Sequence, residues 1–162
     1  MSTAVYPGSF DPMTNGHLDV IRRTAAIFDR VVIGILINQN KQPMFSLEER
    51  VEMIREATKD IPNIEVYTFS GLVVEFAKKM NASVLIRGLR SMVDFEYELQ
   101  MAQINRKIDD EIDTLFFATN PEISYVSSSA VKELWHYRQD ITDYVPECVI
   151  GKLEEKENDY ER

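Results

Sequence analysis

The sequence predicts an α/β fold: a single domain, residues 1–162, with a five-stranded parallel sheet and helices on both faces. Three observations predict it. A chain of 162 residues is long enough for one domain with a full hydrophobic core. Short apolar runs alternate five times with segments of helical periodicity, as in parallel sheets with crossover helices. A loop with two glycines and two prolines joins the first apolar run to the first helical segment.

The first strand and the first helix flank this loop. The strand is predicted at Thr3–Tyr6, where Ala4, Val5 and Tyr6 form an apolar run. The helix is predicted at Gly16–Phe28, with Leu18, Ile21, Ala25 and Phe28 on one face. The loop therefore leads into a helix N-terminus, where free N–H groups and a partial positive charge suit a phosphate.

The rest of the chain repeats the same unit. Further strands are predicted at Val31–Ile37, Ile64–Phe69, Val84–Arg87 and Thr114–Ala118. Further helices are predicted at Leu47–Thr58, Leu72–Met80, Val93–Ile108 and Ser128–Tyr137. Ser46 and Glu49 form a capping box ahead of the second helix. A last helix is expected to begin near Asp143 or Tyr144, with Pro146 in its first turn, and to end in a polar tail at about 152–162.

Topology rules bring the loops of such a chain together. Crossovers between parallel strands are right-handed, so the carboxyl ends of all strands reach one edge of the sheet. Ligands of open α/β sheets bind at that edge. The expected architecture is therefore Rossmann-like, with its ligand site in the loops that follow the strands.

Composition narrows the functional classes. The formal net charge is −9, which argues against a nucleic-acid surface. No apolar run approaches the roughly 20 residues of a membrane span, and Met1-Ser2-Thr3 lacks the basic start of a secretion signal. Cys148 is the only cysteine, so no internal disulfide is possible. These features predict a cytoplasmic protein that binds neither membrane nor nucleic acid.

Basic and hydroxyl side chains nevertheless follow the predicted strands. They are His17, Lys41, Arg87, Arg90 and the run Ser127-Ser128-Ser129. Each has a structural interpretation: His17 as a structural hydrogen-bond donor at the helix start, Lys41 as a solvated lysine, the arginines as partners of Asp94, Glu96 or Glu98, and the serines as a helix cap. Their joint placement at one edge of an acidic protein favours a small polyanionic ligand.

The chemistry open to this set is narrow. The sequence contains no plausible Ser-His-Asp triad and no zinc-ligand spacing. Phosphate clamps, hydrogen-bond donors and helix N-termini remain. These groups suit phosphoryl or nucleotidyl transfer, in which positioning and charge stabilisation dominate.

Several motifs carry a family resemblance over residues 3 to about 150. Thr14-Asn15-Gly16-His17 resembles the [H/T]-x-G-H signature of the nucleotidyltransferase superfamily, and the 123–129 segment resembles its serine-rich loop. With the segments 6–12, 41–45, 86–90 and 94–98, the chain is similar to the bacterial phosphopantetheine adenylyltransferases. Ser9 stands where threonine is also common in the family, and the hydroxyl is kept.

The resemblance implies a reaction in which ATP and 4′-phosphopantetheine give dephospho-coenzyme A and pyrophosphate. It implies that the catalytic residues are His17, Lys41 and Arg90. It implies ATP contacts from Ser9, Phe10, His17, Gly88, Leu89, Arg90, Glu98, Ile123, Ser124, Tyr125, Val126, Ser127, Ser128 and Ser129. It implies acceptor contacts from Ser9, Lys41, Val73 and Arg87. Mg²⁺ would accompany the triphosphate without a protein cage, and the chain would form a homo-oligomer, a hexamer by resemblance.

Three other interpretations remain open. Within the superfamily, the rivals are a nicotinate mononucleotide adenylyltransferase and a cytidylyltransferase, against which the residues of 84–98 argue. From a different class, the chain would be a nucleotide-sensing module without chemistry. ATP binding without turnover on any acceptor would favour that module.

Overall fold

A computed structural model describes residues 1–38 and 42–160, with side chains described up to residue 157. The strands are β1 (Thr3–Gly8), β2 (Arg30–Leu36), β3 (Ile64–Phe69), β4 (Val84–Leu89) and β5 (Asp113–Ala118). The helices are α1 (Asn15–Ala25), α2 (Leu47–Ala57), α3 (Val73–Lys79), α4 (Met92–Ile108), α5 (Ser128–His136) and α6 (Glu147–Tyr160). None of the helices in the described ranges is long and apolar enough to cross a membrane.

The five strands form one parallel sheet in the order β3-β2-β1-β4-β5, which confirms the predicted fold class. The chain runs outward from β1 to β3, then returns to place β4 on the other side of β1. The order thus reverses between β1 and β4, the position where such sheets bind ligands.

β1 pairs with its two neighbouring strands over different lengths. It aligns with β2 over six positions, from Thr3 to Gly8. It aligns with β4 at only two positions, Ala4 and Val5. Beyond Val5 the ladder between β1 and β4 stops, and a cleft opens between the two strand ends.

Helices cover both faces of the sheet, as predicted. One face packs Tyr6 and Ile33 against residues of α1, α2, α5 and α6, among them the buried Ile21 and Val131. The other face packs Val5, Val32 and Leu85 against α3. Alternate strand residues thus enter opposite cores, as the two-residue period of a strand requires.

The start of the last helix differs from the prediction. The helix begins at Glu147, so Pro146 precedes it instead of standing in its first turn. Asn15 holds the preceding turn, since its N–H donates to Tyr144 O (2.8 Å) and its amide to Asp143 O (3.0 Å). The polar C-terminal stretch continues α6 to Tyr160, and fully buried Leu153 packs in the core.

Candidate active site

Two adjoining cavities lie at the carboxyl edge of the sheet, at the cleft between β1 and β4. We call them the larger cavity, about 530 Å³, and the smaller cavity, about 320 Å³. Both are lined by Gly8, Ser9, Arg87, Glu98, Ser128 and Ser129, so these residues stand where the cavities meet. The site can therefore hold two ligands that touch each other at this boundary.

His17 lines the smaller cavity from the first turn of α1. It takes the third helical position of a capping box in which Thr14 is the N-cap. The Thr14 N–H donates to His17 Nδ1 (3.0 Å). In a neutral ring, an Nδ1 that accepts a hydrogen bond carries no proton of its own, so the proton is on Nε2. The cap thus sets the tautomer that donates from Nε2.

The electrostatics around His17 keep this ring neutral. Burial lowers its pKa, and the charges of Arg90 and Arg87 lower it further, to about 4. The ring also packs edge-on against Phe10, with centroids 5.0 Å apart. His17 is therefore an uncharged hydrogen-bond donor at neutral pH.

Arg87 and Glu98 form a bidentate ion pair at the boundary of the cavities. Arg87 Nε donates to Glu98 Oε2 (2.7 Å), Nη2 donates to Oε1 (2.6 Å), and Nη1 donates to Pro7 O (3.1 Å). Burial alone would lower the pKa of the guanidinium, but the bonds and charge of Glu98 outweigh it and raise that pKa. The structural interpretation that the sequence left open for Arg87 is thus realised, while its side chain still lines both cavities.

Arg90 is held more loosely at the smaller cavity. Its Nε donates to Asp94 Oδ2 (3.1 Å) and its Nη1 to Val126 O (3.3 Å). The guanidinium side chain is 40% exposed. A partly exposed cation with long hydrogen bonds can turn toward an anionic ligand at little cost.

The N-terminus of α5 faces both cavities. Ser127 is its N-cap, and its hydroxyl accepts from the Ala130 N–H (3.0 Å). The Ser128 hydroxyl donates to Pro12 O (2.7 Å), which ties the helix to the loop after β1. Ser129 is exposed. Of the three hydroxyls, those of Ser127 and Ser128 thus have structural roles, and the helix end supplies positive potential to the smaller cavity.

In the loop after β1, Ser9 is exposed and Phe10 is buried. The Ser9 carbonyl oxygen accepts from Arg50 Nη1 (2.9 Å). Phe10 is only 1% exposed and has a left-handed φ of 47°. The Phe10 side chain is therefore part of the core, and only its backbone is available to a ligand.

Most of the other predicted site residues lie at the cavities. Gly88, Ile123 and Val126 line the smaller cavity, and Val73 lines the larger. Leu89, Ser124 and Tyr125 are not among the lining residues; Tyr125 is 66% exposed and packs against Tyr144. Lys41 lies outside the described residues.

The sequence reasoning missed one wall of the larger cavity. Tyr97, Met101 and Asn105 of α4 line it, together with Gln42 and Leu72. The spacing of four residues in α4 was a usable signal, because positions 97, 101 and 105 share one face of a helix.

The arrangement favours transfer between two bound anions. The smaller cavity offers a neutral donor, the Arg90 guanidinium and a helix N-terminus, while the larger combines apolar and amide side chains with charged groups, among them Arg50 and Lys132. No group of three or more metal-ligating side chains occurs in the part of the chain that the structure describes. Such a site can hold phosphates in place and stabilise developing negative charge.

Comparisons with known proteins agree with this chemistry. Residues 5–134 match the family model described as cytidylyltransferase-like. The phosphopantetheine adenylyltransferase of Lachnoclostridium phytofermentans is 56% identical over 98% of this chain and 97% of its own length. That of Caldanaerobacter subterraneus subsp. tengcongensis is 50% identical over 96% of this chain and 98% of its own length.

A solved structure shares the fold. It is described as a nicotinate-nucleotide adenylyltransferase from Vibrio parahaemolyticus, with a TM-score of 0.72 and 17% identity over 94% of this chain and 99% of that one. At that identity the likeness concerns the fold alone. The sequence relatives, at about half identity over nearly the whole chain, are decisive, and the chain belongs to the phosphopantetheine adenylyltransferase family within the cytidylyltransferase-like nucleotidyltransferases.

Proposed function

We propose that this protein transfers the adenylyl group of ATP to 4′-phosphopantetheine, releasing dephospho-coenzyme A and pyrophosphate. The observation that carries the proposal is the pair of adjoining cavities, which meet at Ser9 and Arg87. The relatives' shared name supplies the two substrates. ATP binds in the smaller cavity, beside His17 and Arg90. The acceptor binds in the larger, with its long arm between α3 and α4.

The reaction needs no general base. Its nucleophile is a phosphate oxygen that is already anionic at neutral pH, and it attacks the α-phosphate in line, with no covalent enzyme intermediate. The barrier lies in bringing two anions together and in the charge that develops on the α-phosphate. His17 stabilises that charge by donating from Nε2, the nitrogen left protonated by the Thr14 cap.

The two cations have separate roles in this proposal. Lys41 bridges the attacking phosphate and the α-phosphate, as a compact point charge can. Arg90 turns from Asp94 to hold the outgoing pyrophosphate with its planar fork. The backbone N–H groups at the start of α5, near Ser128 and Ser129, hold the same phosphates.

Mg²⁺ would accompany the triphosphate and would offset part of its charge. Of the carboxylates that line the smaller cavity, Glu98 is committed to Arg87 by two short bonds. Asp94, held only by longer bonds to Arg90, is the residue that would contact the hydrated ion. This fits an ion bound mainly by phosphates and water.

The protein acts as a cytoplasmic homo-oligomer, a hexamer by family resemblance. The support is an apolar surface on α4, which exposes Met92 (77%), Val93 (80%), Ile104 (43%) and Ile108 (50%). Exposed apolar side chains grouped in this way are typical of a protein interface.

The test is to incubate the purified protein with ATP and Mg²⁺, with and without 4′-phosphopantetheine. Dephospho-coenzyme A and pyrophosphate are expected only when the acceptor is present. Release of orthophosphate or ADP would contradict the proposal, because attack would then fall on the γ-phosphate. Faster turnover with CTP, or with nicotinate mononucleotide as acceptor, would support one of the rivals within the superfamily. ATP binding without turnover on any acceptor would support the sensing module.

A further inference from the structure

Asp11 is a buried carboxylate in the loop after β1, and both of its oxygens are engaged by another segment. Asp11 is only 7% exposed. Oδ2 accepts from the Met44 N–H (2.9 Å), and Oδ1 accepts from the Phe45 N–H (2.9 Å). Two bonds of this kind fix both the position and the orientation of the backbone at 44–45.

The segment that Asp11 holds continues directly into the site. Gln42 and Pro43 line the larger cavity, and Phe45 is fully buried just ahead of α2. Lys41 precedes Met44 by three residues. Because an extended chain spans at most about 3.5 Å per residue, an anchor at Met44 keeps the Cα of Lys41 within about 10 Å of the Cα of Met44.

Asp11 also connects this segment to α5. Lys132 Nζ lies 3.4 Å from Asp11 Oδ2. One turn earlier on the same helix, the Ser128 hydroxyl donates to Pro12 O (2.7 Å). The loop after β1, the 42–45 segment and α5 all line the larger cavity. The Asp11 side chain makes polar contacts with both of the other two.

We propose that Asp11 is a positioning residue for the acceptor, which sets the 42–45 segment, and through it Lys41, against the loop after β1. This inference rests on the proposed function. Asp11 does not act on the substrate, because its oxygens are occupied by the Met44 and Phe45 N–H groups. Its loss should therefore weaken the binding of the acceptor phosphate and leave the binding of ATP in the smaller cavity unchanged.

The variant Asp11→Asn tests this. The amide keeps the shape of the carboxylate but presents an NH₂ donor to one of the two N–H groups, so one bond is lost and Lys132 loses its counter-ion. The KM for 4′-phosphopantetheine is expected to rise on the order of tenfold, since a hydrogen bond to a charged group is worth about that factor or more. The KM for ATP should stay within about twofold.

Glu49→Gln is the matched control. Glu49 also accepts a backbone N–H in this part of the chain, that of Ser46 (2.7 Å), but on the side of α2. It should lower stability and leave the acceptor KM unchanged. Equal losses for ATP and acceptor in Asp11→Asn, or an acceptor KM like that of the control, would overturn the inference.

Amide hydrogen exchange gives a second readout that does not depend on activity. In the ligand-free wild-type protein the Met44 and Phe45 amides should exchange far more slowly than in an unfolded peptide, and Asp11→Asn should speed the exchange of the one that loses its acceptor. Unprotected wild-type amides would refute the anchor even if the variant failed to fold. If the wild-type protein itself made no dephospho-coenzyme A, the proposed function would fail while the exchange result still decided whether the anchor exists.

Discussion

The chemical contribution of His17 depends on which ring nitrogen carries its proton. The Thr14 N–H occupies Nδ1, and nearby Arg87 and Arg90 oppose a second proton. The same capping box that begins α1 therefore prepares a neutral Nε2–H donor. A donor already in place costs no reorganisation when charge develops on the α-phosphate.

His17→Ala should lower kcat by roughly 10²–10³-fold, the usual cost of losing one such donor. The affinity for ATP should change far less, because the donor acts mainly as charge builds. Steady-state kinetics and calorimetric ATP titration measure the two effects. His17→Gln is the control, since glutamine at this position can keep the capping box but not the imidazole donor. It should lose rate like the alanine variant; an ATP affinity that falls in step with kcat would make His17 a ground-state ligand only.

Stability should depend on pH through the same residue. The unfolded chain protonates His17 at its ordinary pKa of about 6.5, whereas the folded protein does so only near a pKa of about 4. Between these values the unfolded state binds more protons, so the His17 contribution to stability is full above pH 6.5 and is lost as the pH falls. Urea unfolding should show the unfolding free energy of the wild type falling relative to that of His17→Gln as the pH falls through that window. A constant difference would contradict the low pKa.

At the scale of elements, close packing of β2 against α3 supports the edge that carries the site. Phe69 and Phe76 stack with centroids 4.3 Å apart, beside Gly34 in the middle of β2. A Cβ on Gly34 would come within 2.5 Å of Phe76 Cε1 and 3.1 Å of Phe69 Cε1. Both rings are buried, so neither can move away easily.

Gly34→Ala should therefore destabilise the protein by about 1–3 kcal/mol, the usual cost of overpacking a core. Gly151→Ala is the matched control within α6, where a Cβ would meet nothing within 4 Å. It should stabilise by about 0.5–1 kcal/mol, because alanine is the better helix former. Thermal and urea unfolding of both variants give the comparison. Equal effects in the two would show that the rings beside Gly34 relax freely.

The elements and their common edge followed from the sequence, because alternating patterns and right-handed crossovers leave few topologies. His17, Arg87 and Arg90 could be brought to one site for that reason. The pairing of Arg87 with Glu98 could not be chosen over Asp94 or Glu96, since it depends on the rotation of α4 against β4. The start of α6 was missed for a similar cause: a long-range anchor, Asn15, holds the preceding turn.

At the scale of the whole molecule, one side of α4 is both a cavity wall and an exposed apolar surface. Tyr97, Met101 and Asn105 line the larger cavity, and Val93 and Ile104, which share that helix face by their spacing, are exposed in the single chain. Glu98 is the only buried residue of this helix. A helix with so little burial contributes little to the core of one chain, and contact with a second copy would cover its apolar side.

Val93→Glu should dissociate the assembly, because it would place a charge on that apolar side at its most exposed valine. The substitution does not weaken the helix itself: Val93 is the second residue of α4, where a negative side chain suits the helix dipole. Ile27→Glu is the control, since Ile27 is also exposed (64%) but lies after α1. Light scattering at micromolar concentration should show an oligomer for wild type and Ile27→Glu and a smaller species for Val93→Glu. A monomeric wild type would refute the oligomer, and an intact Val93→Glu assembly would place the interface on another face.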